Sequence, residues 1–336
     1  MDTYLMKKAM IENAVMRGIK DMESDPERSA RRLADLGKQF SKNRFEDNIF
    51  TVIQELLNNE NSAYYDMIHS LLRNGDREAM KQFGVNFGYM SWVHGANKVR
   101  KAQKDQGIKI PWTVMFRYDP SSEEGLTEVD ISRVVEQGQE LGIYAYFIRQ
   151  KATEAESYEL LEVLERFKDC AFIWMKENGR LTAAQIQMLK VCKNVVVSLP
   201  TSDPESLLTC SLLRDQKIVF AMHIGYDHVA DSGRIPYIME SVLASETALF
   251  FLVQMDDSTC SLRQLCYESR LKQNYPCLIM DYYGDAVAIS RVLTGHENVL
   301  EIGSDGRVLK PACAAGKLFP RDVSLADAFA SLLPVR

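Results

Sequence analysis

The stretch Ile110-Pro-Trp-Thr-Val-Met-Phe-Arg-Tyr-Asp-Pro-Ser-Ser-Glu-Glu-Gly-Leu-Thr127 decides the fold. Thr113 to Tyr118 is an apolar run bounded by Pro111 on one side and Asp119-Pro120 on the other, which predicts a buried strand. A short turn follows, and a helix starts at Thr127. Upstream the chain reads as helices. Downstream it repeats the strand–helix beat, so strands are expected at Ile143–Ile148, Ala171–Met175, Asn194–Leu199, Lys217–His223, Ala248–Met255 and Cys277–Tyr283. These runs are almost continuously apolar, as strands covered on both faces are. Helices lie between them, opened by Thr182, Asp203-Pro204 and Asp257-Ser258. The pattern predicts an α/β fold: a partial or complete (β/α) TIM-like barrel of about six to seven parallel strands with an N-terminal helical region. Val299 to Lys310 reads as a hairpin turning at Ser304-Asp-Gly306, and Leu325–Leu333 as a last helix.

Before Ile110 the apolar spacing is helical. Pro26 after Ser24-Asp25 suits the first position of a helix whose buried face carries Leu33, Leu36 and Phe40. A second helix from about Phe45 carries Ile49, Phe50, Ile53, Leu56 and Leu57, and a third carries Tyr64, Tyr65, Ile68, Leu71 and Leu72 before Asn74-Gly75. Between Arg77 and Gln106, the glycines of Phe83-Gly-Val-Asn-Phe-Gly88 and Trp92-Val-His-Gly-Ala96 fit either close helix packing or a break. The expected organisation is a helical cap over residues 1–109, a βα barrel over 110–295 and a C-terminal hairpin and helix over 296–336.

Composition bounds the function. The chain has 336 residues, 46% hydrophobic and 26% charged, with a net charge of −6. That balance offers no basic footprint for nucleic acid and no polybasic patch for a membrane surface. No apolar run is long enough to span a bilayer, and Met1-Asp-Thr-Tyr-Leu-Met-Lys-Lys lacks a signal-peptide core, so the expected location is cytoplasmic. The seven cysteines are widely spaced without a C-x-x-C, which disfavours a disulfide framework or a zinc knuckle.

Barrels of this kind place ligands at the C-terminal ends of their strands. The residues expected there are Arg117 and Asp119, Arg149, Lys176, Ser198, His223 and Asp281, one group from each of six strands. Arg117, Arg149 and Lys176 suit an anionic ligand, against the alternative that they pair with Asp119, Glu177 and Asp281. His223 and His228, with Asp227 and Asp231, lack an indicated third metal ligand, so no metal site is expected. No Gly-rich phosphate loop and no G-x-S-x-G follows any strand.

Several segments nevertheless form a familiar set. Ile110-Pro-Trp before the first strand, Asp119-Pro-Ser-Ser after it, Val135-Glu-Gln-Gly-Gln-Glu-Leu-Gly-Ile-Tyr144, Phe167-Lys-Asp-Cys-Ala-Phe172 and Asn298-Val-Leu-Glu-Ile through Cys313 resemble radical S-adenosylmethionine (radical SAM) enzymes with a SPASM-like C-terminal tail. The resemblance runs from about Ala30 to Leu318. It implies a C-x-x-x-C-x-x-C loop after the first strand, whose thiolates hold a [4Fe–4S] cluster. Here Asp119-Pro-Ser-Ser runs straight into Glu123-Glu-Gly-Leu-Thr127, and no cysteine occurs before Cys170. The G-G-E-P segment that binds the methionine amino group is replaced by Phe147-Ile-Arg-Gln-Lys-Ala-Thr153. Ser198 matches a polar position near the cofactor, and Cys313 is a single relic where an auxiliary cluster needs several thiolates.

The resemblance therefore implies a pseudoenzyme without an iron–sulfur cluster, acting as a non-catalytic binding or regulatory partner, with a catalytically competent radical SAM protein as its counterpart. Radical SAM catalysis is not expected and neither is a cofactor, S-adenosylmethionine being the one that the resemblance leaves open. The alternatives are a repurposed barrel with non-radical chemistry, or binding of an anionic small molecule (S-adenosylmethionine or a nucleotide) at the C-terminal mouth.

Overall fold

The strand expected at Thr113–Tyr118 forms over those residues and is β1 of the computed structural model, which describes residues 3–40, 51, 54–55, 57–153, 157–226, 235–255, 261–310 and 322–333. Before it come α1 (Thr3–Asp21), α2 (Pro26–Phe40), α3 (Tyr64–Asn74), α4 (Arg77–Gly84), a π-helical stretch (Val85–Gly95) and α5 (Ala96–Gln106). After it come α6 (Glu128–Leu141), β2 (Ala145–Gln150), α7 (Glu159–Arg166), β3 (Ala171–Lys176), α8 (Ala183–Val191), β4 (Val195–Pro200) and α9 (Glu205–Asp215). The chain continues through β5 (Phe220–Tyr226), α10 (Ile235–Ser245), β6 (Leu249–Gln254), α11 (Ser261–Lys272), β7 (Leu278–Asp281) and α12 (Tyr282–Thr294). It ends in β8 (Leu300–Ile302), β9 (Val308–Lys310) and α13 (Leu325–Leu332). Most of the helix expected from Phe45, and the Asp257-Ser258 cap, lie outside the described residues.

The strand order is β7-β6-β5-β4-β3-β2-β1-β8-β9, an open α/β sheet of the partial (β/α)-barrel type. β1 pairs in parallel with β2, β2 with β3, β3 with β4, β5 with β6 and β6 with β7. The hairpin expected at Val299–Lys310 is present as β8 and β9, which pair antiparallel. β8 has a second role that the sequence pattern did not reveal: it adds in parallel to the free side of β1. The chain divides into two compact units, one of residues 1–85 and 199–282, the other of residues 86–198 and 283–336.

In the first unit the N-terminal helices grip the corners where helices turn into strands. Lys217, Glu246 and Gln273 follow α9, α10 and α11, and all three have positive φ (58°, 56° and 51°). A left-handed residue ends a helix and re-aims the chain. Each corner also holds the segment around α3. The Lys217 carbonyl accepts from the Asp76 N–H, and the Gln273 carbonyl accepts from the Ala63 N–H. The Glu246 carboxylate accepts from Ser70, Arg73 and Asn74. The helical segment thus covers the ends at which β5, β6 and β7 begin. Their C-terminal ends lie at the other end of the strands.

The second unit shows why its strands are apolar on both faces. Tyr146, Phe116 and Phe172 stack on one face, and the Tyr146 hydroxyl donates toward the carbonyls of Val135 and Ile143. That face therefore packs against α6, whose start is fixed by a reciprocal cap between Thr127 and Asp130. On the other face Phe147 meets Trp112 edge-on at 6.4 Å, and Trp112 meets Phe87 of the π-helical stretch at 5.8 Å. Of the glycines in that helical run, Gly95 is the one that permits close packing. A Cβ there would lie 2.4 Å from the Gly142 carbonyl oxygen, whereas one at Gly84 or Gly88 would meet nothing within 4 Å. Gly142 itself ends α6 with φ 104°.

Candidate functional site

Register decides which of the expected site residues share a face. Arg117 of β1 aligns with Arg149 of β2, Arg149 with Met175 of β3, and Met175 with Ser198 of β4. Side chains aligned in a parallel sheet point the same way. Arg117, Arg149 and Ser198 therefore belong to one row, on the face that carries Phe147 two residues below. Tyr118, Gln150 and Lys176 form the next row and point to the opposite face. Lys176 is buried there over the Trp174 ring, whose indole N–H donates to Gln150 at 2.8 Å. Lys176 is thus separated from the two arginines by the sheet itself.

β8 supplies what the sequence reading missed. Glu301 aligns with Met115, one step below Arg117 on the same face. Its carboxylate is fully buried and takes a forked pair from Arg117, Nε at 2.9 Å and Nη2 at 3.3 Å. The Tyr283 hydroxyl donates to the same carboxylate at 2.8 Å, and Lys310 stands 3.5 Å over the Tyr283 ring. Burial alone lowers the tendency of Arg117 to hold its proton. The Glu301 carboxylate more than reverses this and fixes the guanidinium as a cation. Burial, then Glu301, pushes the Tyr283 phenol up to about 12, while Arg149 and Arg117 oppose that rise. The opposition places Arg149 within electrostatic reach of the same phenol. A forked arginine–carboxylate pair with a third donor is a rigid arrangement. The one signal in sequence was a glutamate at the centre of Leu300-Glu-Ile302, an otherwise apolar strand.

The remaining expected residues lie elsewhere. Asp119, one residue beyond β1, accepts from Lys151 at 2.8 Å and from Ser121. Lys151, followed by Ser121, holds its carboxyl below the usual range. His223 and Asp281 belong to the other unit, where His223 aligns with Phe251 while Asp281 aligns with Leu252. Alternation puts those two on opposite faces of β5–β7. Asp281 is buried and accepts from Arg263 at 2.5 Å, and Arg263 also donates to Gln254. Asp227, His228 and Asp231 lie outside the described residues. Among the described residues no group of three potential metal ligands occurs.

The loop after β1 is the place where the resemblance would put a cluster. It closes on itself: the Ser122 N–H donates to the Asp119 carbonyl and the Gly125 N–H to the Ser122 carbonyl. Leu126 N–H then donates to the Ser304 carbonyl at 2.8 Å, and a Cβ on Gly125 would lie 2.5 Å from that oxygen. The turn is pinned to the β8–β9 hairpin and contains no thiol. The described cysteines, Cys170, Cys192, Cys210, Cys266 and Cys277, are all buried. Burial pushes the thiols of Cys192, Cys210 and Cys277 up to about 12, far from the thiolate form a cluster needs. Cys170 precedes β3, at the opposite end of the paired strands from Arg117, and Cys277 belongs to the other unit, where it precedes β7. Cys260 and Cys313 lie outside the described residues, and among the described residues no set of thiols fits a [4Fe–4S] cluster after β1.

No family model matches the chain, and no curated protein matches it. Among solved structures the chain is similar to Streptococcus suis SuiB bound to S-adenosylmethionine, at 12% identity and TM-score 0.52, over 70% of this chain and 67% of that one. It is similar to SuiB bound to the precursor peptide SuiA at 12% identity and TM-score 0.52, over 70% and 68% of the two chains. At this identity the likeness is one of fold alone.

Proposed function

We propose that this chain is a radical-SAM-like pseudoenzyme, a binding or regulatory protein that holds no [4Fe–4S] cluster and generates no radical. The observation that carries this reading is the turn Asp119–Gly125, short, thiol-free and pinned to Ser304. Radical SAM chemistry needs an iron with an open position at that turn, and no side chain there is a soft ligand. Its counterpart, on this reading, is a cluster-bearing radical SAM protein. SuiB has been solved with a precursor peptide bound, so a polypeptide is a natural occupant to test alongside. The direct assay supplies S-adenosylmethionine and a strong reductant anaerobically and looks for 5′-deoxyadenosine. None is expected above the rate without protein. Turnover above that rate ends the proposal.

A second reading, binding of an anionic small molecule, is favoured by one specific feature. Arg117 and Arg149 stand side by side at the ends of β1 and β2, with the first held in place by Glu301 and Tyr283. The two readings are compatible, because a regulator can carry a ligand. Non-radical catalysis would need an acid, base or nucleophile next to these arginines. The groups that touch Arg117 are the Glu301 carboxylate, already committed to Arg117 and Tyr283, and Tyr283, whose raised phenol serves better as a hydrogen-bond donor than as a base at neutral pH.

A further inference from the structure

Fourteen large apolar side chains are exposed among the described residues, and six of them fall on two helices, α1 and α9. Single exposed apolar residues are normal, whereas contiguous ones mark a contact surface. Both helices belong to the first unit, and each packs through its other face. In α1, Ile11 and Ile19 are buried and Gly18 lies against Leu33 of α2. Its solvent side carries Leu5, Met6 and Met10, and the same stripe continues at helical spacing into Arg17 and Lys20. In α9, Ser206, Cys210 and Leu213 are buried. Leu208, Leu212 and Asp215 lie on the opposite side, with Leu207 at its edge. The cations next to Asp215 in sequence are engaged within the chain, Arg214 with the Ser245 carbonyl and Lys217 with that of Arg73. One apolar stripe thus ends in cations and the other in a carboxylate.

Both stripes are exposed together, so neither covers the other within one chain. A second copy can bring them together. Contact of α1 with α1, or of α9 with α9, brings only like charges of these stripes together. Contact of α1 with α9 matches apolar side to apolar side and cation to carboxylate. The apolar steps match as well, since Met6 and Met10 are four residues apart, as are Leu208 and Leu212. Unbranched methionines adapt to a leucine ridge. We propose that this chain self-associates head to tail, the Met6–Met10 face of α1 in one copy docking on the Leu208–Leu212 face of α9 in the next. Laid parallel, the two faces set Arg17 against Asp215, because a helical side chain leans back toward the start of its helix. Two copies related by a two-fold axis make this contact twice, and other rotations make rings or chains. The association is independent of the cluster-free reading.

Sedimentation of the full chain, from about one to about a hundred micromolar, tests the contact. The average mass is expected to rise with concentration above that of one chain. Met10→Glu and Leu208→Glu change sites that are 59% and 75% exposed, and each is expected to raise the dissociation constant by roughly tenfold or more. A thermal melt of each variant separates loss of association from loss of fold. Mixed one to one, the two variants are expected to associate again, because one keeps an intact α9 face and the other an intact α1 face. Arg17→Asp and Asp215→Arg are each expected to weaken association, and the variant carrying both is expected to recover it. Leu271→Glu, at an equally exposed site on α11 away from both stripes, is expected to behave like the wild type. A single-chain mass throughout the range overturns the proposal and leaves the two stripes to a different protein. Association that survives Met10→Glu or Leu208→Glu overturns it too, as does equal loss in Leu271→Glu. A mixture that stays monomeric overturns it in favour of contact between like faces, and a double charge variant no better than the singles removes the match of sign on which it rests.

Discussion

Glu301 is the residue on which the candidate site turns. A fully buried carboxylate survives in a fold only when its oxygens are met by donors, and here Arg117 and Tyr283 meet them. Arg117→Gln is therefore expected to cost about 3 kcal/mol or more in urea denaturation, because it strands a buried charge. Adding Glu301→Gln to it should restore most of that loss, since two amides can hydrogen-bond without a desolvated charge. A simple sum of the two single losses would show that the pair is not coupled. In sequence, Arg117, Arg149, Lys176 and Ser198 were legible as strand-end residues, because an apolar run that stops at a polar group marks a strand end. Which face each occupied was not legible. These strands are apolar on both faces, so alternation has no polar side to anchor it, and only register separates Lys176 from the arginines. Glu301 was hidden for a different reason. Its strand is three residues long and joins β1 from the far end of the chain.

At the scale of elements, two contacts carry definite expectations. Gly95 of the π-helical stretch touches the Gly142 carbonyl, and backbone cannot yield as a side chain can. Gly95→Ala should destabilise by about 1–3 kcal/mol. Gly88→Ala, in the same stretch with open space around it, should be neutral or stabilise by up to about 1 kcal/mol. Thermal melts of the two variants distinguish this account from one in which both glycines are flexible breaks. The second contact is Glu246, at the corner between α10 and β6. Its hydrogen bond from Arg73, then those from Asn74 and Ser70, hold its carboxyl below the usual range. A depressed carboxylate contributes stability above its unfolded pKa and loses it as pH falls through the folded value. Because Glu246 is 40% exposed, the contribution is small, under about 1 kcal/mol. Hydrogen exchange in α3 should accelerate as the pH drops below the ordinary glutamate range, and Glu246→Gln should remove that acid-side change. Unchanged pH dependence in the variant would assign it to another group. Strand boundaries illustrate the limit of pattern reading at this scale. Ile143 and Tyr144 extend the apolar run of β2, but the Ile143 N–H returns to the Gly138 carbonyl to close α6. Lys217 begins the apolar run of β5 yet is a left-handed corner. Tyr282 and Tyr283 continue β7 in hydropathy yet open α12.

For the molecule as a whole, the strand–helix beat from Thr113 was sufficient to read the fold class, because each βα unit repeats the same two periods. The extra parallel pairing of β8 was not, since nothing local distinguishes a hairpin strand that also extends a sheet. The functional reading depends on an arrangement more than on any single side chain. At the ends of β1 and β2, a thiol-free turn and an arginine pair occupy the places where the resemblance puts soft ligands and an amino-group site. Among the described residues no helix is long and apolar enough to cross a membrane. The measurement that bears most directly on the central claim is anaerobic reconstitution with iron and sulfide, followed by desalting and determination of both elements per chain. Substoichiometric iron, no more than in a cysteine-free control protein, is the expected result. A stoichiometric [4Fe–4S] cluster that survives desalting would contradict the account.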